Sequence, residues 1–516
     1  MHRIIFFPYT QPKNMEKSAV KGSILLIISG FLCKILGAFF RLPLTKIIGV
    51  EGIGVFQMII TLYSFALILC SGGITITLSK LISQARAKAD IVKMRSLYKI
   101  SIIFSVLVGV FIGVIFFIFA KNISILQGND KSIWGYRLMI ILLPLGGIIA
   151  SLKGVIQGNE NMLPTAVSQV IEQSFRFVLG LLFAYFLIPY GIEFGVVGAI
   201  SGIVIGEIAS SIYLFYKVKK LTVRFEGKKY QGFFRTLVPI LLGLIIFPLV
   251  NSIDSFIIVK RLSIAGFSSE NATILFGLQT GIVGAILNIP LIISTSIATA
   301  ILPAISFISE DETLFNEKVI NAFKTLWIVL IPTTIGIICV ARPLYMLIYP
   351  NLDSGLLDYA VNLTEIGGIS TILTALMQFF ITILQAKGQL SYLLLIEFFG
   401  GVAKVITTIF LCSIPQINIY GIVIANIVLS FIVLVGAILK LKGSVKVSYF
   451  DVLVPLVSSV IMFVIVSEFI ILFDLPLILT LCLSILIGIF TYIFFSFPCV
   501  LDVLSILNLR KNKKQA

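Results

Sequence analysis

Two cations, Lys34 and Arg41, lie in the apolar stretch CKILGAFFRLPLTKIIG. One face of a helix through this stretch carries Lys34, Ala38, Arg41 and Thr45. A cation at the bilayer centre costs about 2.5 to 3.5 kcal/mol on insertion scales. A span that carries two cations therefore needs an interaction that offsets this cost. Either they snorkel or pair with acids on a neighbouring helix, or this face lines a water-filled cavity that binds an anion. Arg can hold the oxygens of such an anion with a bidentate fork, while Lys supplies a point charge.

Later apolar segments also carry charged residues. Glu172 and Arg176 are four residues apart, the spacing of an ion pair within one helix. Glu397 and Lys404 are seven apart, so they share a face but are too distant for a simple pair. We predict that Arg176, Glu397 and Lys404 join Lys34 and Arg41 in a cavity that binds substrate, with a structural ion pair as the alternative for Arg176.

The elements that must position these residues are membrane-spanning helices. Of 516 residues, 59% are hydrophobic and 12% charged, and the mean hydropathy is +1.11; soluble domains contain about 25% charged residues. Continuous apolar runs favour helices over a β-barrel. The fourteen predicted spans are 22–48, 54–80, 98–120, 133–157, 163–190, 195–216, 234–259, 273–307, 320–341, 360–386, 390–413, 420–440, 450–472 and 476–499.

The net charge of +16 follows the topology of such a protein. Lys and Arg concentrate in the N-terminal tail, in residues 86–99, in the 217–235 loop and in the C-terminal tail, which are alternate connections. By the positive-inside rule both termini are cytoplasmic, as an even number of spans requires. We expect no nucleic-acid partner, because no basic stretch is interleaved with aromatic residues in a soluble module. The sequence of the N-terminal tail is consistent with a translation start at Met1 and equally with one at Met15.

The sequence has no constellation for catalysis, metal binding or a cofactor. Its one histidine is in the N-terminal tail, and its six cysteines form no C-x-x-C pair. The pair Gly227-Lys228 lacks the upstream glycine of a P-loop, so no ATP hydrolysis is expected. A polytopic glycosyltransferase would need large external catalytic loops, which the predicted spans do not leave. We therefore predict a protein that is not an enzyme and that uses the membrane potential, an ion gradient or substrate consumption on the far side.

A weak internal repeat divides the chain. Residues 157–176 resemble residues 385–404 at an offset of 228, and GAISGIVIGEI resembles GIVIANIVLSF further on. The matches pair helices five and six with helices eleven and twelve, which predicts two six-helix lobes related by a pseudo-two-fold axis along the membrane normal. The predicted regions are a tail 1–21, an N-lobe 22–220, a C-lobe 234–440, two extra helices 450–500 and a basic tail 501–516.

Two long stretches carry a family resemblance, residues 21–58 (KGSILLIISGFLCKILGAFFRLPLTKIIGVEGIGVFQM) and residues 142–173 (LLPLGGIIASLKGVIQGNENMLPTAVSQVIEQ). They resemble the branch of the multidrug/oligosaccharidyl-lipid/polysaccharide exporter superfamily that contains stage V sporulation protein B and the MurJ lipid II flippases. Lys34 and Arg41 are similar to paired cavity arginines in the first helix of that branch. The branch also has a cavity arginine in its eighth helix, where this chain has Gln279.

The resemblance implies a flippase in the bacterial cell membrane that moves undecaprenyl-diphosphate-linked peptidoglycan precursor by alternating access, for cell-wall or spore cortex synthesis. Its implied partners are the lipid-linked glycan, membrane lipids and the cell-wall synthesis machinery. Some relatives bind sodium between the seventh and eleventh helices, which makes Asp254 and Glu397 candidates for Na⁺ or H⁺ coupling. The alternatives are a flippase for another polysaccharide repeat unit and a cation-coupled multidrug exporter.

Overall fold

The computed structural model describes residues 12–218, 232–306, 312–441 and 448–512. Within these ranges the regular structure is helical and contains no strand. The α-helices are α1 Pro12–Ser71, α2 Ile74–Ala87, α3 Ile91–Ile118, α4 Ala120–Gln127, α5 Ile133–Arg137, α6 Met139–Gly158, α7 Leu163–Leu187, α8 Ile192–Val218, α9 Gly232–Ile264, α10 Ser269–Gly277, α11 Gly284–Ser306, α12 Glu312–Cys339, α13 Ala341–Ile348, α14 Ser354–Ala386, α15 Leu390–Leu411, α16 Tyr420–Leu441, α17 Tyr449–Leu472 and α18 Leu477–Asn512.

Thirteen helical segments in the described residues are long and apolar enough to cross a membrane. The first, Ile28–Ala87, has 60 residues, which correspond to about 90 Å of helix, three times the hydrocarbon thickness of about 30 Å. Gly49 interrupts it with a φ of 73°, a conformation that glycine adopts without steric cost. The all-helical membrane fold is confirmed. The count of fourteen spans remains a prediction, because it requires this segment to be counted as two.

The chain groups into two compact units, Met1–Gly277 and Leu278–Ala516. The division falls inside one long helical segment, where a π-helical stretch, Leu278–Val283, links α10 to α11. By this grouping α9 and α10 lie in the first unit. The predicted lobe boundaries and their pseudo-two-fold relation stay predictions.

Glycines allow α7 and α8 of the first unit to pack closely against each other. Gly198, Gly202 and Gly206 recur every fourth residue of α8 and face α7, a small-residue spacing that lets membrane helices approach closely. A Cβ on Gly202 would lie 2.3 Å from the backbone nitrogen of Gly180, and one on Gly206 would lie 2.6 Å from the carbonyl oxygen of Glu172. These glycines bring the α8 backbone against the polar residues of α7.

The last two helices pack on α12 and α13 in the second unit. The Nζ atom of Lys324 on α12 lies 3.0 Å from Oδ2 of Asp451 and 2.9 Å from Oδ2 of Asp502. Trp327 donates its Nε1–H to the carbonyl of Val452 over 3.0 Å. Because these contacts join α12 to α17 and α18, they fix the C-terminal helix pair to its unit.

Candidate functional site

The cationic face of α1 becomes more buried along the helix. Lys34 is exposed, Arg41 is half-buried and Thr45 is buried. The Thr45 hydroxyl donates to the carbonyl of Arg41 over 2.7 Å. Both cations have interaction partners within the protein. The predicted stripe therefore lies on the surface of the first unit near residue 34 and enters its interior toward residue 45.

Arg176 reaches α1 from the neighbouring helix α7. Its guanidinium carbon lies 5.4 Å from the centre of the Phe40 ring, a distance at which a cation is attracted to an aromatic face. Phe40 is 1% exposed. The buried Nε of Arg176 has no hydrogen-bond acceptor among the described residues. Arg176 therefore lies beside the segment of α1 that carries Lys34 and Arg41.

Other polar side chains line the same helix pair. Ser29 on α1 donates to Oε1 of Gln169 on α7 over 3.2 Å. A Cβ on Gly37 would lie 4.0 Å from Oε1 of Gln173. Since Gln169, Gln173 and Arg176 are spaced four and three residues apart, they form one face of α7. The α1–α7 contact is thus a polar strip inside an apolar protein.

Glu172 pairs with Lys153 of α6 and not with Arg176. The Nζ of Lys153 lies 3.7 Å from Oε2 of Glu172, and the two side chains are 14% and 23% exposed. No ion pair joins Glu172 to Arg176 in the described chain. The structural ion pair that was the alternative for Arg176 is thus not formed at ion-pair distance in the described residues, where Lys153 of α6 approaches the carboxylate instead.

Glu207 on α8 is a buried acid that the sequence analysis did not select. It is 4% exposed, and its Oε1 accepts a hydrogen bond from the hydroxyl of Tyr63 on α1. Its Oε2 is buried without a donor among the described residues. Lys153, Glu172 and Arg176 are the charged side chains that act on it electrostatically. Its position directly after Gly206, the last glycine of the α8 spacing, is the sequence signal that could have identified it.

The remaining predicted site residues divide between the units. Asp254, on α9 of the first unit, is 5% exposed, and Lys404, on α15 of the second, is 2% exposed. Both have interaction partners. Glu397 on α15 is half-buried. The structure brings Arg176 to the α1 segment of Lys34 and Arg41; the shared ion site of Asp254 and Glu397 stays a prediction.

The described residues contain no group of three or more His, Cys, Asp or Glu side chains that could hold a metal ion. The six cysteines are unpaired thiols. What the first unit offers instead is cationic and amide groups on two packed helices. Such groups bind anions by hydrogen bonds and charge.

Comparison with known proteins agrees with this architecture. The family model for polysaccharide biosynthesis proteins matches residues 19–309. Stage V sporulation protein B of Bacillus subtilis (strain 168) is 30% identical over 313 residues, which are 58% of this chain and 60% of that protein, less than two thirds of its length. The lipid II flippase MurJ of the same strain is 24% identical over 406 residues, 70% of this chain and 73% of that protein.

Solved structures share the fold. Lipid II flippase MurJ in an inward closed conformation matches with a TM-score of 0.71 and 18% identity, over 93% of this chain and 100% of that chain. A multidrug resistance MATE transporter in an inward-facing conformation, itself described as a member of the MOP superfamily, matches with a TM-score of 0.60 and 16% identity, over 79% of this chain and 98% of that chain. At these identities the likeness concerns the fold alone.

Proposed function

Because this chain belongs to the polysaccharide biosynthesis protein family, we propose that it is a flippase for undecaprenyl-diphosphate-linked peptidoglycan precursor of the lipid II type. It would move this lipid across the bacterial cell membrane by alternating access. The similarity to stage V sporulation protein B and to MurJ supports the substrate class and a role in cell-wall or spore cortex synthesis. Lipid II flippase MurJ and the matched MATE transporter are transport proteins and not enzymes, which supports a transport function for this chain.

The observation that carries the proposal is the position of Arg176. Its Nε is buried without an acceptor in the described chain, and its guanidinium faces Phe40 on the cationic helix α1. Burying a cation costs several kcal/mol, and Glu172 and Glu207 act on this one only from beyond ion-pair distance. A charged residue of this kind in a membrane helix is a candidate functional residue. An anionic diphosphate would supply the missing acceptor.

In the first unit, the diphosphate would be bound by Lys34, Arg41 and Arg176. The two guanidinium groups can each offer parallel N–H donors to phosphate oxygens, and the lysine adds charge. Glu397 and Lys404 on α15 of the second unit stay proposed substrate-binding residues. Membrane lipids and the cell-wall synthesis machinery are the expected partners.

Coupling is proposed to use Na⁺ or H⁺ at Asp254 and Glu397, or the membrane potential. One charge that crosses 100 mV contributes about 2.3 kcal/mol, enough to bias alternating access. Asp254→Asn and Glu397→Gln should each reduce the dependence of transport on the imposed ion gradient. If transport by both variants keeps the dependence of the unmodified protein, these residues are not the coupling site.

Translocation in reconstituted vesicles tests the proposal. Purified protein should expose fluorescent lipid II to the outer medium and should not export cationic drugs. Arg176→Ala should abolish translocation at normal membrane abundance, Arg176→Lys should retain part of it, and the exposed Lys46→Ala should match the unmodified protein. Drug export without lipid transport would overturn the proposal, and transport of another lipid-linked glycan in place of lipid II would assign the substrate to a different polysaccharide unit.

A further inference from the structure

A groove between α4 and the end of α9 forms a cavity of about 460 Å³ in the first unit. Its lining residues are Leu126, Phe256, Ile257, Lys260, Arg261 and Ile264. Four of these are apolar and two are cationic. The site lies outside the α1–α7 strip described above, and the inference from it does not depend on the proposed function.

The two cations of this groove are open to an anion. Lys260 is exposed and Arg261 is half-buried. Neither forms an ion pair with a carboxylate in the described ranges. Consecutive residues rarely point the same way on a helix, yet both line this cavity. The groove therefore presents uncompensated positive charge beside an apolar wall.

The length of α9 places the groove beyond the hydrocarbon core if that core begins near the first residue of the helix. Lys260 is 28 residues beyond Gly232, the first residue of α9, which corresponds to about 42 Å along the helix and exceeds the hydrocarbon thickness of about 30 Å. Trp134 on α5, which packs on α4, is 48% exposed. Exposed tryptophan marks the membrane interface. The cations are thus at the end of α9 opposite the basic 217–235 loop.

One buried hydrogen bond joins the two walls of the groove, and a second ties the residue after α4 to α10. Gln127, the last residue of α4, donates its Nε2–H to Oγ of Ser255 on α9 over 3.0 Å in a buried position. The carbonyl of Gly128 accepts a hydrogen bond from the Ser269 hydroxyl. Gly128 has a φ of 87°, and a Cβ there would lie 2.9 Å from Cγ1 of Val259. These contacts fix the position of α4 against α9 and so define the shape of the groove.

We propose that this groove binds an anionic phospholipid, with the headgroup phosphate at Lys260 and Arg261 and an acyl chain along Phe256, Ile257 and Ile264. Basic residues near a membrane surface attract the headgroups of anionic lipids. Free phosphate would leave the apolar wall exposed to solvent, whereas a phospholipid fills both parts of the groove. The leaflet concerned is the one opposite the basic loops, which the charge pattern predicts to be the outer one.

Lipid retention by the purified full chain, measured by native mass spectrometry, tests this site. The probes are phosphatidylglycerol, phosphatidylcholine with the same acyl chains, and inorganic phosphate as a competitor. Lys260→Ala with Arg261→Ala should lower phosphatidylglycerol retention about 10-fold or more, as two such contacts imply. The matched control is Lys121→Ala, an exposed α4 residue outside the cavity lining. The unmodified protein should prefer phosphatidylglycerol to phosphatidylcholine, and inorganic phosphate should not displace it.

Three results would overturn the assignment. Equal loss in the double variant and in Lys121→Ala would show a diffuse surface effect. Unchanged retention with a lowered unfolding temperature in the double variant would mean that the cations only compensate the helix dipole at the end of α9. Tighter, variant-sensitive binding of undecaprenyl diphosphate than of phosphatidylglycerol would assign the groove to a polyprenyl lipid instead.

Discussion

The ammonium group of Lys153 lies 3.7 Å from the Glu172 carboxylate, although Arg176 is only one helical turn from that carboxylate in sequence. The pair links α6 to α7. No carboxylate lies within ion-pair distance of Arg176 in the described chain, although Glu172 and Glu207 act on its charge, and its guanidinium lies over the ring of Phe40 on α1. The carboxylate of Glu172 therefore pairs between helices, with α6, and not within α7.

The Lys153–Glu172 pair should contribute to stability rather than to substrate binding. Lys153→Ala should lower membrane abundance and the unfolding temperature, because it leaves a poorly solvated carboxylate unpaired. Adding Glu172→Gln should recover most of the loss, with a coupling energy of about 0.5 to 3 kcal/mol in a double-mutant cycle. Additive effects in thermal unfolding of the four proteins would show that the two side chains do not interact.

Arg41 should act in transport. Arg41→Ala should insert and fold normally but fail to complement a flippase-deficient strain, and Arg41→Lys should retain part of the activity because the charge stays while the fork is lost. Lys46→Ala, an exposed change farther along α1, is the control. Abundance and complementation must be measured together. Full activity of Arg41→Ala at a normal level would contradict a role in the cavity.

The Tyr63–Glu207 hydrogen bond should stabilise the packing of α1 on α8. Tyr63→Phe leaves the buried carboxyl with no donor for either oxygen in the described chain, at a cost of about 1 to 3 kcal/mol. Tyr63→Phe with Glu207→Leu should be more stable than Tyr63→Phe alone, since no polar group is then stranded. Thermal unfolding in detergent measures both. A Tyr63→Phe protein as stable as the unmodified one would show that the hydrogen bond contributes nothing.

Gly202 should be intolerant of any side chain. The atoms that a Cβ would meet belong to the backbone of Gly180, at 2.3 and 2.4 Å, and cannot rotate away. Gly202→Ala should cost about 1 to 3 kcal/mol by overpacking, and Gly202→Leu should reduce abundance further. Gly243→Ala on α9 is the matched control, because no atom lies within 4 Å of its Cβ position. Equal abundance of all three variants would refute the close α7–α8 contact.

Much of this protein could be predicted from its sequence, because the information is local. A continuous apolar run identifies a membrane helix, since every backbone polar group must be satisfied within it. The resemblance in residues 21–58 and 142–173 identified the exporter fold, which the comparisons confirm. Lys34 and Arg41 stood out because a charged residue is costly in such a helix.

Partnerships between helices depended on the tertiary structure. The four-residue spacing is that of an ion pair between Glu172 and Arg176, but the Glu172 carboxylate pairs with Lys153 of α6. Glu207 meets Tyr63, 144 residues away in the chain, because the glycines of α8 let the helices pack closely. The side chains of one helix are arranged by its own periodicity, whereas the partner of a buried charge is whichever side chain the packing of several helices brings within reach.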